Sequence, residues 1–179
     1  MIVSGDLDVA RNALPQLRRA RQFSEAEAVA DLLLQTNSAD VATQFELGLI
    51  RLAAGRFAEA SAPFEARLLL YPPPPLPFPR WRGQVLSGKQ MLVVAEPALN
   101  AGLVFGDFIP ALVSDGAIVT YLCHPTNVAA AKELGANVIA MSGEVEFPDP
   151  HYWVPEGSIP GMVGHGSAAL SAWACRWSA

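Results

Sequence analysis

Met91-Leu92-Val93-Val94-Ala95, Ala117-Ile118-Val119-Thr120-Tyr121-Leu122 and Asn137-Val138-Ile139-Ala140 are three short apolar runs in the second half of the chain. Unbroken apolarity over four to six residues reads as buried strand. Residues 99–114 between the first two runs read as mainly helical, interrupted at Pro110. Residues 125–134 read as a second helix, with Pro125 in its first turn and Gly135 at its stop. The order strand–helix–strand–helix–strand predicts a three-stranded parallel sheet with right-handed crossovers. Residues 143–166 are rich in Gly and Pro and read as a long loop. Tyr152-Trp153-Val154 is the one stretch in it suited to a short strand. Residues 168–177 read as a final helix with Leu170, Trp173, Ala174 and Trp177 on one face.

The first 72 residues follow a different rule. A shift of 34 residues places Phe23 on Phe57, Glu25 on Glu59, Ala26 on Ala60 and Ala28 on Ala62. That period is the mark of a TPR helix–turn–helix unit. In the second copy Leu47-Gly48 falls in the first helix, Gly55-Arg56-Phe57 at the turn, and Ala60 and Phe64 in the second helix. Gly48 and Ala60 are small enough for paired helices to approach closely. Asp40 is a fitting N-cap and Gly55 a fitting left-handed stop. Ser24 and Glu27 have capping-box spacing for a helix over residues 26–34. The first copy is weaker, since Pro15 should kink or restart its first helix. Where the repeat usually has a large aromatic residue, the second copy has Gln44.

Between these halves runs Tyr71-Pro72-Pro73-Pro74-Pro75-Leu76-Pro77-Phe78-Pro79. Such a run is neither helix nor central strand and favours extended polyproline II. It is read as a stiff connector, with a proline-recognition partner as the alternative. The fold class that results is α+α/β. Two TPR-like helical hairpins occupy 1–72, a Pro-rich linker 73–90, and a small three-stranded parallel α/β unit 91–179.

Hydrophobic residues make up 51% of the 179 and charged residues only 16%, which suits a packed core rather than disorder. A net charge of -5 argues against nucleic-acid binding. No apolar run reaches the ~20 residues needed to span a bilayer. The N-terminus lacks a signal-peptide pattern, so the chain is expected to be cytoplasmic at synthesis. Cys123 and Cys175 fit no zinc spacing and read as free buried thiols. His124, His151 and His165 have no convincing metal-ligand neighbours, so neither a metal nor a cofactor is expected. Gly161-Met162-Val163-Gly164-His165-Gly166 follows a loop, not a strand, and reads as a connector rather than a phosphate cradle.

Several marks taken together resemble the bacterial TPR-linked glycosyltransferases, which join TPR repeats to a two-domain GT-B catalytic unit. Pro79-Arg80-Trp81-Arg82-Gly83 resembles that family's P-x-W-x-G, and Leu86-Ser87-Gly88-Lys89 its L-x-G-K. Glu96 stands where the family reads E-Q-G-x-G-D. Phe105, Phe108-Ile109-Pro110 and Gly116-Ala117 match the next helix and strand. Asp149, His151 and Ser158-Ile159-Pro160 resemble the later D-x-H and S-L-P segments. The resemblance spans roughly residues 40–165 and implies a half-Rossmann unit like a GT-B N-terminal domain.

The chain departs from that pattern at its chemistry. After the first strand it reads Glu96-Pro97-Ala98-Leu99-Asn100-Ala101, without the two glycines and the aspartate. A glycine turn lets backbone N–H groups approach an anion. Pro97 removes one donor, and the Cβ atoms of Ala98 and Asn100 crowd the approach. Asp107 stands where the family has an arginine. The donor domain of a GT-B enzyme is also expected to be missing. The leading expectation is therefore a non-catalytic adaptor or structural subunit with protein partners or self-association. The assembly this expectation implies is a cell-surface apparatus or a phage-like particle. Gln44, Arg51, Trp173 and Trp177 are the expected protein-interaction residues. The first alternative is a carbohydrate-binding module whose residual cleft is lined by Glu96, Asn100 and His124. The second is a transferase half completed by another chain.

Overall fold

The computed structural model describes residues 4–96 and 105–163. Two compact units divide between Pro72 and Pro73. The helical unit contains α1 (Ser4–Arg19), α2 (Phe23–Thr36), α3 (Val41–Ala53), α4 (Phe57–Phe64) and α5 (Arg67–Leu70). The 34-residue spacing is written in its backbone. Phe23 opens α2 and Phe57 opens α4, while Arg19 closes α1 and Ala53 closes α3. Two residues before each second helix the chain turns left-handed, at Arg21 with φ 60° and at Gly55 with φ 76°. Glycine meets that conformation at no steric cost, whereas Arg21 does not. Ala26 and Ala60, also equivalent, are both fully buried.

Packing inside the unit follows side-chain size. Leu14, Ala26, Ala30, Leu33, Leu47 and Ile50 form one core from α1, α2 and α3. At Gly48 a Cβ would stand 2.6 Å from the Cα of Phe64, so α3 and α4 meet at a distance only glycine permits. The equivalent position in the first hairpin is Leu14, buried in that core.

Charged pairs tie the helices across their surfaces. Asp40 caps α3 by accepting from the Thr43 N–H at 3.2 Å, and its other oxygen accepts from Arg11 of α1 at 2.7 Å. Arg18 meets Glu46 at 3.1 Å. Glu27 of α2 receives Arg51 of α3 at 2.7 Å and also Arg56. The expected Ser24–Glu27 capping box is thereby overturned. The α2 N-cap is Gln22, without a side-chain cap, because Glu27 is held by two guanidinium groups of the next hairpin. α1 continues through Pro15 rather than restarting there.

The second unit is built on one parallel sheet of β1 (Gln90–Val94), β2 (Ile118–Cys123), β3 (Asn137–Ala140) and β4 (Tyr152–Pro155), in the order β3-β2-β1-β4. It has four strands where three were expected, because Tyr152-Trp153-Val154-Pro155 pairs with Met91-Leu92-Val93-Val94. Between β1 and β2 lie a short 3-10 turn at Gly106–Phe108 and α6 (Ile109–Ser114). The helix expected over 125–134 is broken into a 3-10 turn, α7 (Val128–Ala131) and a second 3-10 turn, which Gly135 ends. α6 lies against β2 and α7 against β3.

Strand alternation gives the sheet two faces. One face carries Leu92, Val94, Leu122 and Trp153. It is covered by Leu76 and Phe78 from the proline-rich stretch and by Met141, Val145 and Phe147 from the β3–β4 connection. The Phe78 and Phe147 rings meet edge-on at 6.2 Å. The stretch 73–90 is thus part of this unit and not a free linker. Its Trp81 and Leu86 are buried, and Arg80 bridges to Trp153 on the outer side of β4. The expected helix over 168–177 lies outside the described residues.

Two outcomes test this packing. Gly48→Ala should gain about 1 kcal/mol of helix propensity yet lose more to overpacking, for a net loss of about 2 kcal/mol in urea denaturation. Acid should act through Asp40 and Glu27. Burial alone would raise both carboxyls, but bonds from Arg11 and Thr43 to Asp40, and from Arg56 and Arg51 to Glu27, hold them below their ordinary values. The unfolded chain then binds more protons than the folded one. Their stabilisation is complete above about pH 5 and fades as pH falls through about 4. Asp40→Asn, which keeps a cap acceptor, should flatten the dependence of melting temperature on pH in that window.

Candidate functional site

Parallel sheets gather chemistry where their strand order reverses, at the carboxyl ends of the two strands that flank the reversal. Here that point lies between β1 and β4. β1 runs out into Ala95-Glu96, and β4 runs into a 3-10 helix at Glu156–Gly161. The two ends are joined by a side chain. Glu96 accepts a 2.9 Å hydrogen bond from the Gly157 N–H.

Beneath this tie sits a second carboxyl. Glu156 is only 1% exposed and accepts a 2.5 Å hydrogen bond from the phenol of Tyr121 on β2. Burial and the charge of Glu156 push the Tyr121 phenol far above its ordinary value. The same two causes raise the Cys123 thiol, which is fully buried and free. A buried thiol shifted upward is mostly protonated at neutral pH, so it is a poor nucleophile and a poor metal ligand. The neighbouring Ser158 accepts from Arg80 Nη2 at 2.9 Å, which ties the 79–83 segment to the strand reversal.

Of the residues anticipated for a cleft, Glu96 is at the reversal and is engaged by Gly157. Asn100 lies outside the described residues. His124 is exposed one strand away, and its Nδ1 caps the next turn, 2.8 Å from Thr126 Oγ1 and 3.4 Å from the Thr126 nitrogen. The structure therefore gives His124 a capping role at the turn after β2. Sequence reasoning missed Tyr121 and Glu156. The signal for Glu156 was an acidic residue set between the apolar stretches 152–155 and 159–160.

The anticipated interaction residues are similarly engaged. Gln44 donates to the Ser38 carbonyl at 2.7 Å. Arg51 reaches Glu27 through Nε and the Glu59 carbonyl through Nη1 at 3.2 Å. That carbonyl is the one an N–H at position 63 would bond in a regular helix, and Pro63 has none. Arg51 supplies the missing donor. Trp173 and Trp177 lie outside the described residues.

A separate cleft of about 350 Å³ is lined by Trp81, Val85, Leu86, Asp115 and Met162. The indole N–H of Trp81 is already donated to the Gln84 carbonyl at 2.8 Å. Among the described residues no group of three His, Cys, Asp or Glu side chains comes together to hold a metal ion. No helix among them is long and apolar enough to cross a membrane. No protein-family model matches the chain, and no curated protein or solved structure matches it either.

Tyr121→Phe removes a hydrogen bond to a buried carboxyl at the reversal. It should cost about 1–3 kcal/mol in denaturant unfolding. It should also speed alkylation of Cys123 in the native protein, read by peptide mass mapping so that Cys175 is scored separately.

Proposed function

We propose that the chain is a non-catalytic adaptor or structural subunit, made of a TPR-like helical unit and a sheet unit derived from a GT-B glycosyltransferase. The observation that carries this reading is the hydrogen bond from Gly157 to Glu96. An enzyme handling a nucleotide sugar needs backbone donors and positive field where its sheet order reverses, to meet phosphate oxygens. At this reversal the Gly157 donor is consumed by an internal carboxylate, and a second carboxyl, Glu156, is buried beside it. Both carry the wrong sign for an anion. The sequence after Glu96, with Pro97 in place of a glycine turn, points the same way.

Other features support the ancestry. The helical hairpins repeat at 34 residues, with Gly48 admitting α4 and buried alanines at equivalent places. The order β3-β2-β1-β4 agrees with half of a doubly wound sheet. Partner binding is supported by β3, the terminal strand. Among the described residues no strand pairs with its outer side, and open strand edges are sites of pairing with other chains.

The test has two arms. Incubated with UDP-, GDP- and CDP-sugars, the purified chain should release no nucleotide above buffer and give no calorimetric binding at millimolar ligand. In light scattering at micromolar concentration it should run larger than a monomer or co-purify in a stable complex. Nucleotide release that is lost in a heat-denatured control would overturn the non-catalytic reading, and a lone monomer would overturn the structural one.

A further inference from the structure

β3 ends the sheet on the side away from β4, and half of its backbone is unused. In a ladder, alternate residues of a strand bond to one neighbour and those between them face the other way. Met141 donates its N–H to the Cys123 carbonyl at 2.8 Å, and the register with β2 puts Asn137 and Ile139 on that same side. Val138 and Ala140 therefore turn their N–H groups outward. Among the described residues neither of these N–H groups, nor the Val138 carbonyl, meets a backbone partner. The opposite rim of the sheet is closed. Beyond β4 the Trp81 N–H donates to the Trp153 carbonyl at 2.8 Å, and the Trp153 N–H to the Pro79 carbonyl at 3.1 Å.

Edge strands that stay single carry a device against pairing, such as a lysine, a proline or a bulge. Ala136-Asn137-Val138-Ile139-Ala140-Met141-Ser142 has no charge, no proline and no glycine. The layout of this edge also selects its occupant, because it is complementary to itself. Two copies of β3 set antiparallel about a two-fold axis at Val138 exchange the Val138 N–H and carbonyl both ways, and each Ala140 N–H meets the Ala136 carbonyl of the other copy. The flanking charges fit the same arrangement. Exposed Lys132 and Glu144 stand six residues to either side of Val138. Antiparallel pairing turns the lysine flank of one copy toward the glutamate flank of the other, whereas parallel pairing would set like charge beside like.

We propose that β3 pairs antiparallel with β3 of a second copy of this chain, joining two four-stranded sheets into one of eight strands. The inference rests on the structural-subunit reading and deepens it, by naming the partner and the strand that meets it.

The experiment uses the full chain. Light scattering should give about twice the 19.0 kDa of one chain. Val138→Pro removes an outward N–H and no bond to β2, so the sheet itself should survive it. It deletes both central bonds between the copies and should weaken the dimer about tenfold to a hundredfold. Hydrogen exchange of the unsubstituted chain gives a readout that does not depend on the variant folding. The Val138 and Ala140 amides should be protected in the dimer and exchange freely once dilution has separated the copies, while the Ile139 amide stays protected in both. A folded Val138→Pro chain that dimerises as the parent does overturns the proposal, and so does protection of the Val138 and Ala140 amides in a species of one chain's mass. A chain that is monomeric alone but held in a stable complex with another protein also overturns it, yet leaves the structural reading standing. A lone monomer with no such complex overturns both.

Discussion

The hydrogen bond from Gly157 to Glu96 holds together the two strand ends on which the sheet unit turns. β1 has neighbours on both sides, and its partner β4 arrives after an irregular connection rather than a helix. A parallel pair has no tight hairpin to fix its register. The register therefore depends on contacts at the strand ends. At the carboxyl end these are Glu96 with Gly157 and Tyr121 with Glu156. At the amino end His151 and Gln90 exchange two bonds, 2.9 Å from the His151 N–H to the Gln90 carbonyl and 3.1 Å from the Gln90 N–H to His151 Nδ1. Polar side chains at both ends of the strand pair thus serve its alignment.

The helical unit solves a different problem with the same means. A helix interrupted by Pro63 loses a backbone donor, and a close helix crossing at Gly48 leaves no room for a side chain to repair it from within. Arg51 repairs it from the neighbouring helix, while its Nε holds Glu27. Arg67, nearly fully buried, lies 4.4 Å over the Phe64 ring and donates to the Phe64 carbonyl and to Glu65. Guanidinium groups suit this work because several fixed donors can serve carbonyl, carboxylate and ring at once.

Local physics made part of this legible in the sequence. Strands β1, β2 and β3 were readable as apolar runs, Asp40 as a cap, and Gly55 and Gly135 as left-handed stops, since each depends on a few adjacent residues. The pairing of β4 with β1 was not readable, because it joins residues some 60 positions apart and no periodicity encodes it. For the same reason Glu27 looked like half of a capping box, and nothing in the sequence joined Arg51 to it. Their partners are close only once the hairpins have stacked. The proline-rich stretch looked like a linker because proline reports backbone shape. It says nothing of where Leu76 and Phe78 point. At the candidate site Glu96 was found through its position after β1. Tyr121 and Glu156 were missed, since a phenol within a strand and a carboxyl in a Gly- and Pro-rich stretch give no sign of meeting.

The segments that carry the family resemblance have structural employment that does not depend on any reaction. Pro79 and Trp81 bond across to Trp153, and Arg80 to Ser158. Gly88 donates to the Gly116 carbonyl at 2.9 Å, and a Cβ on Gly116 would stand 3.1 Å from Ser87, so Leu86-Ser87-Gly88 and Gly116-Ala117 fit as a pair. A chain that kept these residues would keep its sheet even after losing the glycine turn. Folding constrains contacts distributed over the unit, whereas catalysis constrains a few groups at one edge. On the proposed reading a scaffold relieved of catalysis is free to change first at its former reacting groups, and in sequence the departures from the resembled pattern include Pro97, Asn100 and Asp107.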